Sequence, residues 1–220
     1  MVHEDQQEAA ALALAPGTRI IIPNHEPTKC SNKRNGIVRA YAANTNQGLV
    51  RNYNEDRVSI ILNIVKPEHR KHETWPTCSF FGVYDGHGGS ACAEFLRDNL
   101  HHFVIKEESF PWESEEAIRQ GFKKAEARFL EMCQAKDESS GQLTVIERSG
   151  SCAIVVLIVG DICHVANVGD SRAVLCSGGG QQMIALSRDH KPSDVEEYKR
   201  IIQAGGQIYQ TTTSQILNKE

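Results

Sequence analysis

Four short segments of the chain carry residues whose types and spacing could do chemistry. The first is Asp85-Gly86-His87-Gly88-Gly89, directly after an apolar run that ends at Tyr84. A carboxylate at a strand end can reach out of the sheet into a cleft. Gly86, having no Cβ, lets its carbonyl approach a ligand closely. Carboxylate plus backbone carbonyl is an oxygen-donor set suited to Mg²⁺ or Mn²⁺ in preference to zinc, and His87 adds a group able to transfer protons near neutral pH. Alone, the segment reads equally well as a tight Asp-Gly turn into a helix.

The second segment is Arg51-Asn52-Tyr53-Asn54-Glu55-Asp56-Arg57. The adjacent acids Glu55 and Asp56 open a strand and point to opposite faces, so one could bind metal while the other organises water or backbone. Arg51 offers a fork that matches phosphate oxygens. Alone, such a run also reads as a solvated loop. In the third, Asn167-Val168-Gly169-Asp170-Ser171-Arg172, a plain hairpin turn competes with a role for Asp170 in the same cleft. The fourth, Asp189-His190-Lys191-Pro192, precedes a helix and reads as structural.

These segments need elements to position them. Residues 37–42 read as a strand, and Val58, Ile60, Leu62 and Ile64 recur at period two on one face of a second. Residues 78–84 make a third. Two helices follow, with apolar stripes Ala91, Phe95, Leu96, Leu100, Phe103 and Ile118, Phe122, Ala125, Phe129 expected in the core. Ser114 is the expected N-cap of the second. After a polar loop, residues 151–159 and 162–168 flank Gly160-Asp161, a two-residue hairpin signal. Residues 173–176 and 183–186 flank Gly178-Gly179-Gly180, which reads as a turn because no Lys-Ser/Thr and no helix follow it. Ser193 and Glu196 form an expected capping box for a helix bearing Val195, Tyr198, Ile201 and Ile202, ended by Gly205-Gly206. Hairpin-linked strands with segregated helices argue an α+β fold with antiparallel sheets.

Composition bounds the reading. The 220 residues are 40 % hydrophobic and 24 % charged, which suits one globular domain with a sizeable core. A formal net charge of -4 argues against a general nucleic-acid-backbone binder. The longest apolar stretch, residues 152–160, is far short of the ~20 residues of a membrane-spanning helix, so no membrane partner is expected. The N-terminus has acidic residues where a secretory signal would be basic, and neither a myristoylation glycine nor a prenylation cysteine is present. Seven scattered cysteines with no C-x-x-C pair read as reduced thiols in an intracellular protein, cytoplasmic and/or nuclear. Residues 1–35 read as an N-terminal extension, with a helical turn over 9–15 and an edge strand at Ile20-Ile21-Ile22, and 36–220 as the catalytic-type domain.

Together and in this order, the segments resemble the metal-dependent serine/threonine protein phosphatases, the type 2C family. The resemblance covers about residues 36–206. It rests on Arg51 with Asn54-Glu55-Asp56-Arg57, Tyr84-Asp85-Gly86-His87-Gly88-Gly89-Ser90, Ser149-Gly150-Ser151, Gly169-Asp170-Ser171-Arg172, Asp189-His190-Lys191-Pro192 and Ala204-Gly205-Gly206. It implies a sandwich of two antiparallel sheets flanked by helix pairs, a dinuclear Mg²⁺/Mn²⁺ site, a phosphoprotein substrate and a monomer. Carried over, Asp85 would bridge the metals, Gly86 and Glu55 would serve one of them, and Asp170 would help hold a weaker accessory ion. Asp56 would hold a water, Arg51 would bind the substrate phosphate, and His87 would protonate the departing Ser or Thr oxygen as metal-activated water attacks phosphorus.

The sequence departs from the family pattern downstream, where a second Asp-Gly and an Asp-Asn have no counterpart before Glu220. The chain is therefore expected to lack the C-terminal portion of the family domain and several of its strands. Two divalent ions about 4 Å apart repel by roughly 17 kcal/mol at an effective dielectric of about 20. Asp85 and Glu55 offset only part of that charge, so one ion is expected to bind adequately and the second weakly. The competing reading is an inactive binding or decoy module, or an incomplete domain that needs further chain.

Overall fold

The computed structural model describes residues 27–136 and 143–209. The turn over 9–15 and the strand at Ile20-Ile21-Ile22 lie outside the described residues. The architecture is α+β with antiparallel sheets. Strands β1 (Lys29–Ser31) and β2 (Tyr41–Ala43) form a ribbon. The main sheet has the order β10-β9-β4-β3, built from β3 (Arg57–Ile61), β4 (Cys78–Tyr84), β9 (Ala153–Val159) and β10 (Ile162–Val168). Three further ribbons pair β5 (Gly86–His87) with β8 (Gly150–Ser151), β6 (Gln134–Lys136) with β7 (Leu143–Val145), and β11 (Val174–Ser177) with β12 (Gln182–Ala185).

Helices α1 (Ala91–Ile105) and α2 (Ser114–Met132) pack as a pair on one face of the sheet. Alternation sends Cys78, Phe80 and Tyr84 of β4 and Val155 and Leu157 of β9 to that face. There they bury with Leu100, Val104, Ala125 and Phe129 in a single core. Tyr84 is fully buried, and its hydroxyl lies 3.0 Å from Ser59 Oγ across β3, so the one polar atom it carries inward is satisfied. Burial pushes its pKa up to about 12. The opposite face carries Val58, Ile60, Phe81 and Val83. The β1–β2 ribbon lies against part of it, with Tyr41 packed on Phe81 at 6.5 Å between ring centroids.

Several local expectations are displaced. Of the expected 37–42 strand only Tyr41 and Ala42 fall in a paired strand, β2, and its partner β1 lies inside the stretch expected to be an extension. Asn35 pairs with Val38 instead, and its amide donates to the Leu62 carbonyl and to Ser79 Oγ. On β3, which ends at Ile61, Val58 and Ile60 share the face away from the helices, while Ser59 is buried toward them. Ser114 caps nothing, because its hydroxyl donates to the Pro111 carbonyl at 2.7 Å, the back-bonding a serine inside the first turn can make. The polar loop after α2 contains the β6–β7 ribbon. The third helix, α3 (Val195–Gln203), is capped by Asp194, whose carboxylate accepts from the amides of Glu196 and Glu197. The capping residue is thus one position later than Ser193.

Other expectations hold in detail. The Gly160-Asp161 turn joins β9 to β10, with Val159 opposite Ile162 and Gly160 at a φ of 63°. Gly205 and Gly206 close α3 by donating to the carbonyls of Ile202 and Ile201, a Schellman arrangement.

His101 of α1 packs on Phe80, 6.1 Å between centroids, and its buried Nδ1 has no hydrogen-bond partner among the described residues. Burial, with His102 beside it, depresses its pKa from 6.5 to about 4, while Asp98 acts weakly in the other direction. A depressed histidine costs nothing above its unfolded pKa. Its penalty grows as pH falls from about 6.5 to about 4, where the unfolded chain takes up the proton first. His101→Gln is therefore expected to gain about 1–3 kcal/mol on the wild type over that acid range, read as the pH-dependent difference in urea midpoints.

Candidate metal centre

The register of the main sheet gathers the acidic residues at one end. Arg57 stands opposite Tyr84, Val83 opposite Ile154, and Ala153 opposite Val168. One residue beyond those last pairs are Asp56, Asp85, Cys152 and Gly169. Four strand ends thus deliver their neighbours to the same edge, in the place that sheets commonly offer to ligands.

The backbone then closes in. The Cys152 amide donates to the Asp85 carbonyl at 2.8 Å, and the β5–β8 ladder continues with Gly86 opposite Ser151 and His87 opposite Gly150. Gly86 is buried against the chain it faces: a Cβ there would stand 2.5 Å from the Glu55 carbonyl oxygen and 3.2 Å from Ala93 Cβ. Glycine is what allows this approach, and the approach sets Glu55 and Asp56 beside Asp85. Ser149 Oγ accepts from the Cys92 amide at 3.0 Å and so tethers the start of α1 to this ladder. That contact gives the Ser149-Gly150-Ser151 segment a structural part.

The expected site residues fall as follows. Glu55 is held by the Gly89 amide at 2.6 Å and by Arg51, whose Nη1 lies 3.7 Å away and whose guanidinium is exposed. The Asp56 amide donates to Asn54 Oδ1 at 3.0 Å, a turn that aims its carboxyl inward. Burial raises the Asp56 pKa first, and the adjacent Asp85 and Glu55 carboxylates raise it further against a smaller opposing effect of Arg57. Arg57 itself is tied to the carbonyls of Asn54 and Asp56, both at 2.8 Å, and to Glu94 of α1 at 2.5 Å. Carboxylate oxygens of Asp85 and Asp170 lie within 4.8 Å of each other and of Cys152 Sγ.

Two features were not anticipated from sequence. Cys152 sits between the two aspartates, its thiol 3.4 Å from Asp170 Oδ1, and burial raises its pKa. In sequence it looks like one more apolar residue opening a strand. Only the register, together with the bare backbone of Gly169 against its sulfur at a φ of 104°, reveals its place. Lys191 Nζ stands 3.6 Å from both Asp170 and Asp189, and Arg172 forks onto Asp189 at 2.7 and 2.8 Å. Lys191 of the fourth segment thereby stands beside Asp170. His87 is exposed, lies over Gly150, and lines a groove of about 550 Å³ with Cys92, Phe129 and Glu147. It is not in the Asp85, Cys152, Asp170 cluster. Asp56 borders a second groove of about 650 Å³ between the β1–β2 ribbon, β3 and α1.

The donor chemistry fits a hard divalent cation. Asp85 and Asp170 present oxygens, and Asp56, its pKa raised first by burial and then by Asp85 and Glu55, adds a third carboxyl beside them. Both Glu55 oxygens already have partners, the Gly89 amide and Arg51.

A family model described as "Protein phosphatase 2C" matches residues 42–219. Among curated relatives, "Probable protein phosphatase 2C 57" of Oryza sativa subsp. japonica is 41 % identical over 60 % of this chain and 33 % of its own length. "Probable protein phosphatase 2C 59" of Arabidopsis thaliana is 43 % identical over 57 % of this chain and 37 % of its own. The chain thus spans about a third of the length of the curated relatives it matches. A solved structure of a C. elegans sex determining protein, 23 % identical, superposes with a TM-score of 0.53 over 74 % of this chain and 37 % of that one. This likeness concerns the fold alone.

The Gly86 contact gives a direct test of how the acids are brought together. Gly86→Ala is expected to destabilise the chain by about 1–3 kcal/mol, because backbone must move to admit the methyl group. The measurement is the shift in urea midpoint at unchanged slope.

Proposed function

The chain belongs to the protein phosphatase 2C family, and we propose that it carries the family's metal-dependent hydrolysis of phosphoserine and phosphothreonine in proteins. The observation that carries this reading is the convergence of Asp56, Asp85 and Asp170 on one sheet edge, with exposed Arg51 beside Glu55. Asp85 and Asp170 would hold a divalent ion, Mg²⁺ or Mn²⁺, with Glu55 and the Gly86 carbonyl serving a second. Such an ion supplies Lewis-acid stabilisation of phosphoryl oxygens and lowers the pKa of water.

The remaining work falls to side chains. Arg51 binds the substrate phosphate through its planar fork, for which its exposed position and long 3.7 Å link to Glu55 leave it free to swing. Asp56 orients the attacking water by hydrogen bonding. His87 would give its proton to the departing Ser or Thr oxygen after its exposed ring swings off Gly150 toward the acids. The substrate is a phosphoprotein, and the chain acts as a monomer without nucleic acid or membrane. No helix among the described residues is long and apolar enough to cross a membrane. The intracellular setting, cytoplasmic or nuclear, belongs to the same proposal.

One observation favours a second reading, an inactive binding or decoy module, or an incomplete domain that needs further chain to cover one sheet face. The sheet face opposite the helices leaves Val83 44 % exposed, so part of a hydrophobic layer is uncovered. The test is phosphate release from a phosphothreonine peptide by the 220-residue chain, with Mn²⁺ or with chelator. Metal-dependent turnover is expected, with Asp85→Asn abolishing it and Arg51→Ala reducing kcat/KM by about 100-fold, or ~2.7 kcal/mol. A folded chain that binds the peptide and releases no phosphate above the Asp85→Asn control would establish the binding reading instead.

A further inference from the structure

We infer that Cys152 makes this centre a thiol-carboxylate site, at which Asp85, Cys152 and Asp170 together take a thiophilic divalent cation such as Cd²⁺ or Zn²⁺. The inference rests on the reading of this edge as a metal site and extends it to a sulfur donor and a different class of ion. Sγ of Cys152 and one carboxylate oxygen from each aspartate lie within 4.8 Å of one another. Zinc ligands at about 2.3 Å for sulfur and about 2.1 Å for oxygen stand about 3.5 Å apart in a tetrahedron. The three atoms therefore need to close by little more than an ångström, and the 3.4 Å separation of Sγ from Asp170 Oδ1 is already at that spacing.

The backbone holds the sulfur in place. The Cys152 amide is fixed to the Asp85 carbonyl at 2.8 Å, and the missing side chain of Gly169 makes room for Sγ. Two aspartates alone are a hard oxygen pair that suits Mg²⁺ or Mn²⁺. Adding one thiolate shifts the balance toward borderline and soft ions, which bind sulfur strongly, whereas Mg²⁺ does not. On binding, one S–M bond forms, the thiol proton passes to buffer, and no electron is transferred. Lys191, 3.6 Å from Asp170, is the cation that the metal replaces there. A bound thiophilic ion occupies the aspartates that the hard ion uses, so the two classes compete.

The experiment titrates the chelator-stripped 220-residue chain with CdCl₂ and, separately, with MnCl₂. Calorimetry measures both affinities, and ultraviolet thiolate-to-cadmium charge-transfer absorption reports the sulfur. Cys152→Ser is expected to weaken Cd²⁺ binding about tenfold or more, at least ~1.4 kcal/mol, and to remove one thiolate's share of the absorption, while Mn²⁺ affinity changes little. Asp170→Asn should weaken both ions, and unchanged circular dichroism shows that each variant is folded. The other cysteines cancel in the difference between wild type and Cys152→Ser. Equal Cd²⁺ affinity and absorption in those two proteins, with Mn²⁺ bound by both, overturns the sulfur ligand alone. Cd²⁺ held through Cys152 with no Mn²⁺ binding sustains the inference and overturns the hard-metal reading. Binding of neither ion overturns both.

Discussion

Like charge crowded at one sheet edge is the constraint around which this chain is built. The Asp56 pKa is raised first by its own burial and then by the neighbouring Asp85 and Glu55 carboxylates. Three carboxylates do not gather in water, and each would separate if its backbone were free. Antiparallel pairing denies them that freedom, because β3, β4 and β9 are locked by their registers and by the core beneath. Burial in that core is the favourable term that offsets the repulsion. A fully buried side chain such as Phe80 or Leu157 contributes about 1.5–3 kcal/mol, so a few of them outweigh the crowding of partly solvated acids.

The helices serve the same end from behind. Glu94 of α1 holds Arg57, whose guanidinium also ties down the carbonyls of Asn54 and Asp56. Ser149 binds the first turn of α1 to the β5–β8 ladder. The acidic edge is therefore braced on one side by a hydrophobic layer and on the other by polar links to α1. Motion that would relax the repulsion has to break several of these links at once.

Much of this was legible in the sequence, and the exceptions have physical reasons. Asp85-Gly86 could be read because an acid after an apolar strand and a glycine at a close approach each leave a local signature. The α1 and α2 stripes could be read because helical spacing survives in a linear string. Cys152 could not, since its meaning depends on which residues of β4 and β10 lie opposite β9, and pairing register is not a local property. The burial of Ser59 on β3 has no local signature for a related reason. The buried Ser59 is satisfied by the hydroxyl of Tyr84, a partner 25 residues away, and so a polar residue can face the core. Each cap shifted by one position because Asp194 offers a better acceptor than Ser193, and Ser114 spends its hydroxyl on Pro111.

The cations near the acids show why the edge suits a metal better than a side chain. Arg51 reaches Glu55 only at 3.7 Å and is 69 % exposed, and Lys191 reaches Asp170 at 3.6 Å with both partners nearly half exposed. Pairs of this kind contribute about 0–1 kcal/mol and are screened by salt. They neutralise the outer acids loosely and leave the raised pKa at Asp56 in place. A divalent ion among the same oxygens carries twice the charge of either side chain and loses no side-chain rotamer entropy. It can also bridge acids that neither Arg51 nor Lys191 spans. Under the proposed function, Arg51 and Lys191 are loose counterions that a divalent ion at these acids would displace.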